Sequence, residues 1–309
     1  MRWLTLVAVL AGLASADGGM VGPEGVEVVE HNQTAVIRHF GGIEELTIAT
    51  GFQAYSGFAW IVPAPAHPAV DSAPGVLFAA LYSYCRPILR GGGFACGYAI
   101  SDDLGASEPG RSVEQLEGGI IGEWEWALFR ADEPDTLTAY LDSLGYYLPP
   151  GVSGAFQHYI DKGWQYFVVC RVREDTRMPF GGHVGIRLTF ASDSIVYPLR
   201  ISRISSTAGP VTLYVLAEHR QMFDGARLKF SGRVGPATFP DLPGFADRDC
   251  RLTKLVRYYE PGGMEDICLR RAPDDREFRD VEFHGARDGV LPVFALFAAA
   301  LLARRRRDG

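Results

Sequence analysis

The segment GEWEWALF, Gly122 to Phe129, is the first place to look for acid–base chemistry. Strand alternation puts Glu123 and Glu125 on one face and Trp124 and Trp126 on the other. Two carboxylates about 7 Å apart match the spacing of a glycosidase acid/base pair, and paired tryptophans stack on sugars. The same alternation also describes a half-buried strand with its tryptophans inward and its glutamates in water. Nothing adjacent in sequence completes a site.

The other reactive residues are dispersed. Cysteines stand at 85, 96, 170, 250 and 268 without a C-x-x-C, which argues against a zinc ribbon or a thioredoxin-type centre. Outside the cell disulfides are permitted. Cys85 with Cys96 and Cys250 with Cys268 are the nearest partners, against an alternative of reduced, partly buried thiols. Cys170 alternates with Tyr166, Val168 and Val172 and reads as a small core residue. The seven histidines form no H-E-x-x-H and no close helical pair; His31 and His39 are placed to meet across a hairpin. Asn32-Gln33-Thr34 is a glycosylation sequon. No G-x-S-x-G, phosphate-binding loop or calcium loop occurs, and no cofactor or metal is implied.

These residues need elements to hold them. The chain has 309 residues, 47% hydrophobic and 22% charged, enough for one large domain or two small ones with real cores. A net charge of -7 is unlike the cationic face that nucleic acid requires. Phe58 to Val62 is apolar on both faces, as in a covered central strand, and Pro63, Pro65 and Pro68 are expected to end it. Val76, Leu77, Ala80, Leu81 and Tyr84 form a helical stripe, with Asp71 or Ser72 as cap and Pro87 as stop. A second helix starts at Pro134, with Asp132 as cap and Gly145 at its end; a third runs from Val152 to Lys162. The strands expected beyond them are WQYFVVCRVR, HVGIRLTFA, SIVYPLRIS, VTLYVLAEH, ARLKFSGRV and RLTKLVRYY. No βαβ rhythm appears. The fold class is therefore α+β, mostly antiparallel sheet with about three helices. FGGIEELTIAT and FGGHVGIRLTFA share an outline, so the body at 17–285 also reads as two duplicated lobes, 17–150 and 151–285.

The two ends speak to location. Arg2, the apolar run Trp3 to Leu13 and the small residues Ala14-Ser15-Ala16 form a secretory signal over 1–16, with cleavage between Ala16 and Asp17. At 286–309 the apolar run Val290 to Ala303 is closed by Arg304, Arg305, Arg306 and Arg307. Those fourteen residues reach about 21 Å as a helix against a hydrocarbon core of roughly 30 Å. The segment is thus a short membrane span, with its arginines cytoplasmic and the body outside, or a sorting tail removed after export.

Six segments, in order, carry a family likeness: ADGGM, EELTIATGFQAYSGFAWIVPAPAHP, VLFAALYSYCRPI, LDSLGYYLPPG, YIDKGWQYFVVCRV and IRLTFASDSIVYPLRIS. Together they resemble the domain-of-unknown-function family 2330 of exported prokaryotic proteins, over about Asp17 to Phe283. The stretch from Gly91 to Ser112 departs from that pattern. The resemblance implies an exported, often membrane-tethered envelope protein. The family has no established activity and lends no catalytic residue. The sequence therefore points to a non-catalytic binding or structural module held at the membrane by its C-terminal segment, with envelope proteins or glycans as partners. The alternative is an envelope hydrolase acting on glycans or peptides.

Overall fold

The computed structural model describes residues 19–24, 29–54, 57–90, 115–173, 176, 180–204, 208–260 and 262–283. Both expected terminal segments, the Ala16–Asp17 junction, Cys96 and the tail arginines lie outside these. The chain opens with β1 (Gly19–Val21), β2 (Val29–Phe40), β3 (Ile43–Ala54), β4 (Ala59–Ala64) and β5 (Ala69–Ser72). Helix α1 (Leu77–Tyr84) and β6 (Ile88–Arg90) follow, then the hairpin β7 (Gln115–Ile121) and β8 (Trp124–Arg130). Helices α2 (Pro134–Ser143) and α3 (Val152–Asp161) lead to β9 (Tyr166–Val172), β10 (Phe180–Ala191), β11 (Val196–Tyr197) and a 3-10 helix at Arg200–Ile204. Next come β12 (Gly209–Ala217), β13 (Gln221–Met222), β14 (Arg227–Val234) and β15 (Cys250–Tyr259). Four short strands close the described chain: β16 (Ile267–Cys268), β17 (Arg270–Arg271), β18 (Phe278–Arg279) and β19 (Val281–Phe283).

Two sheets carry the architecture. One has the order β1-β4-β9-β8-β7; the other has the order β18-β14-β15-β12-β2-β3-β10-β5. All their pairings are antiparallel except β2 with β12. The sheets face each other across one core. Trp60, Val62, Trp124, Leu128, Val168 and Cys170 from the first meet Ile37, Leu46, Ile48, Ile186, Leu213 and Leu255 from the second. Alternation sends Ala59, Ile61, Phe167 and Val169 the other way, under α2 and α3. On the far face of the large sheet Val36, Tyr214, Leu216 and Leu252 are covered by α1 and the loop bearing Phe239 and Leu242. The result is four layers: helices, small sheet, large sheet, then α1 with its loop. The central strands β4 and β9 of the small sheet are covered on both faces, which is why they read as nearly continuous apolar runs.

The main expectations hold among the described residues: α+β, largely antiparallel, with three helices. β4 is buried at every position, as a covered strand should be. It runs on through Pro63, because β1 pairs only with Ala59 to Ile61 and leaves that edge free where the missing N–H falls. Other details differ. Asp71 and Ser72 belong to β5 and do not cap α1, which starts without a side-chain cap. Glu133, not Asp132, is the N-cap residue of α2, while Gly145 does follow its end at φ +79. SIVYPLRIS is not one strand: Pro198 cannot donate to a ladder, and the chain turns from two residues of β11 into the 3-10 helix.

The duplicated outline does not divide the described chain. Each sheet draws strands from both sides of residue 150. Gly41 and Gly42 make the tight β2–β3 turn at φ +59 and +74, whereas Gly181 and Gly182 lie inside β10. β3 and β10 pair antiparallel along their full length as neighbours.

Candidate functional site

The tryptophans of GEWEWALF behave as the alternation predicts. Trp124 and Trp126 are buried between the sheets, and Phe58 meets Trp124 edge to face at 5.3 Å. The two glutamates do not share a face. Gly122, at φ +58, and Glu123 form the two-residue turn of the β7–β8 hairpin, with a positive φ only at its first position, the type II′ pattern. Glu123 is therefore turn and Glu125 is strand. The Glu125 carboxylate is paired with the Arg171 guanidinium at 2.8 Å on the helix-covered side.

Cys85, Cys170, Cys250 and Cys268 are free thiols. The expected Cys250–Cys268 bridge is not formed: Cys250 opens β15 in the large sheet, while Cys268 pairs with Val196 in a separate ribbon. Cys170 is fully buried in the core, where desolvation pushes its thiol far up. His31 and His39 both lie on β2, eight residues apart, so about 26 Å separates them and no hairpin joins them. His39 instead bonds the Ser192 carbonyl at 2.8 Å. Asn32 sits on β2 opposite Gly51, at a register shift. Among the described residues no group of three His, Cys, Asp or Glu is arranged to hold a metal.

The structure gathers different residues. At one end of the large sheet a depression of about 580 Å³ is lined by Glu218, His219, Arg233, Asp249, Cys250, Arg251 and Asp275, with the turn Gly235–Thr238 as its lip. Cross-strand register explains the two arginines. Ala217, Arg251 and Arg233 form one row across β12, β15 and β14. Arg251 falls on the inter-sheet side with Leu255, and Arg233 at the exposed rim. Like charges directly opposite in an antiparallel pair repel. Arg251 is only 6% exposed and its Nη1 has no hydrogen-bond partner. Neither arginine forms an ion pair among the described residues.

Asp275 stands beside this row with its acceptors already engaged. Its Oδ1 accepts from the Arg220 backbone N–H at 2.7 Å and its Oδ2 meets His219 Nδ1 at 2.8 Å. The Arg220 N–H, the His219 ring and the Arg251 charge together hold its carboxyl below the usual range. The lip is set by a close approach: a Cβ on Gly235 would lie 2.5 Å from Asp249 Oδ1. Burial pushes the Cys250 thiol up to about 11, away from the thiolate a nucleophile needs.

A second depression, of about 510 Å³, lies on the outer face of the large sheet between α1 and the loop at Asp241–Phe245. Its floor carries Arg38, Glu45, Thr47 and Arg187. Its guanidiniums are engaged, Arg38 with Glu45 and Asp247 and Arg187 with Asp71. Elsewhere Asp266 joins α3 to the 3-10 helix. It accepts from Tyr159 Oη at 2.6 Å, Lys162 Nζ at 2.6 Å and the Arg200 N–H at 3.0 Å, with His158 at 3.3 Å.

Residues 11–263 match the family described as an uncharacterized protein conserved in bacteria, DUF2330. The chain belongs to that family. No curated protein and no solved structure matches it. The DUF2330 match takes in Arg233, Asp249, Cys250 and Arg251 and ends before Asp266 and Asp275. No motif announces the arginine row, because Arg233 and Arg251 are 18 residues apart and meet only through sheet register.

Proposed function

We propose that this DUF2330 protein is an exported, membrane-tethered envelope protein whose α+β body binds a small polar ligand. The signal pattern at 1–16 and the apolar, arginine-closed run at 286–309 support export and tethering. Among the described residues no helix is long and apolar enough to cross a membrane, so tethering rests on the terminal run. The observation that carries the binding role is the depression that Arg251 and Arg233 line together, two arginines on neighbouring strands that form no ion pair among the described residues. Like charges set directly opposite repel, and an anionic ligand group beside them offsets that repulsion. Envelope proteins or glycans remain the partners of the outer surface in this reading.

Protease shaving of intact cells, with mass analysis of the released C-terminus, tests the location. Release of the body from intact cells, with or without the arginine tail, is the expected result. A chain shielded from protease and retaining Met1 refutes export.

The rival reading is an envelope hydrolase acting on glycans or peptides. The feature that favours it is the His219–Asp275 pair beside Cys250 in one depression, and not Glu123 with Glu125. The raised Cys250 thiol argues against it. Turnover of a peptide or glycan panel that is lost in His219→Ala would establish the hydrolase.

A further inference from the structure

The depression at Arg251 holds charges of both signs that the fold does not use. Arg251 and Arg233 stand side by side on neighbouring strands without an ion pair among the described residues. Glu218 and Asp249 line the same depression, exposed, and likewise make no ion pair among the described residues. Asp275 compensates Arg251 only at longer range, since its oxygens are taken by His219 and the Arg220 N–H. A fold that needed only neutral packing at this row would place an apolar residue opposite Arg233, as it places Ala217 on the other flank of Arg251.

We infer that this depression is a binding site for a small zwitterion, an amino acid or short peptide. Its carboxylate is clamped by Arg251 and Arg233, and its ammonium group faces Glu218 and Asp249. The inference rests on reading the chain as a binding protein and names the class of its ligand. A guanidinium presents paired N–H donors that match a carboxylate, so two adjacent guanidiniums make a strong site for that group. The carboxylates at the rim disfavour a bare polyanion such as phosphate and favour a ligand that also carries positive charge. A volume of about 580 Å³ accommodates a ligand of this size.

Isothermal titration of the purified full-length chain at low ionic strength tests this. The probes are alanylalanine, its N-acetyl derivative, its C-terminal amide and inorganic phosphate. Alanylalanine is expected to bind saturably, at least tenfold more tightly than either blocked form or phosphate. Arg233→Ala, an exposed position that does not threaten folding, is expected to weaken it at least tenfold, and Arg251→Met to abolish it. Asp249→Asn should weaken alanylalanine but not its N-acetyl derivative. Phosphate binding as tightly as alanylalanine, no saturable heat from alanylalanine, or full affinity in Arg233→Ala would each overturn the inference. These outcomes are independent of cell-surface shaving, so failure of the ligand class and failure of the envelope location are separately visible.

Discussion

The Asp266 side chain and Arg251 are each 6% exposed, yet the fold treats them in opposite ways. Every contact around Asp266 is complementary: a phenol, an ammonium, a backbone N–H and an imidazole converge on one carboxylate. Burial alone would raise its pKa, but the bonds from Lys162, Tyr159 and Arg200 hold it below the usual carboxylate range. Arg251, a buried residue, has instead a like charge as its strand partner and an unpartnered nitrogen. A satisfied buried charge ties elements together; one left unsatisfied costs stability and is kept where something else benefits. Glu44 is a third solution. It is fully buried, its Oε2 accepts from the Val196 N–H while its Oε1 has no partner, and desolvation pushes it up to about 8, which favours the uncharged form.

The sharpest way to break this contrast is to remove each group in turn. Asp266→Ala strips the acceptor from the buried Tyr159 hydroxyl and the part-buried Arg200 N–H and should cost about 3–5 kcal/mol, read as a lower urea midpoint. Its contribution also has a pH signature: because its pKa is depressed, the stability is present at neutral pH and lost as pH falls below the ordinary carboxylate range.

Glu44→Gln comes next. The folded pKa is raised from 4.5, so the wild-type contribution is full below about pH 4.5 and lost as pH rises towards 8. The variant should match the wild type at pH 4.5 and exceed it by about 2–4 kcal/mol at pH 8. Equal midpoints at pH 8 would mean that Glu44 is solvated in a way its burial does not show.

Arg251→Met should behave unlike Asp266→Ala and gain about 1–2 kcal/mol, because an apolar side chain of similar length removes a buried charge. Glu125→Gln sits at the small end. Its pair with Arg171 is a third exposed on each side, so the change should stay under about 1 kcal/mol in the urea midpoint.

Much of this fold can be read in the residues. The proline and glycine at the ends of α2, the apolar stripe of α1 and the double-sided run of β4 all locate their elements. Trp124 and Trp126 declare which face of β8 is inside. The arginine row is hidden for a physical reason. In β15, Cys250 and Leu252 face one covered side while Leu255 and Tyr259 face the other, so alternation cannot say which parity is core and which is polar. His219 and Asp275 are likewise 56 residues apart and meet only because the chain folds back past β13 and β17. Two strands around a glycine turn are legible in SVEQLEGGIIGEWEWALFRA, and the turn at Gly122–Glu123 is what removes Glu123 from the strand.

The measurement that bears most directly on the account is the thermal midpoint of the wild type and of Arg251→Met, each with and without excess alanylalanine. The wild type should start lower and rise with the dipeptide, while Arg251→Met should start higher and stay unmoved. An Arg251→Met protein that starts lower, or that rises as the wild type does, contradicts the claim that this guanidinium is held unpaired for a ligand.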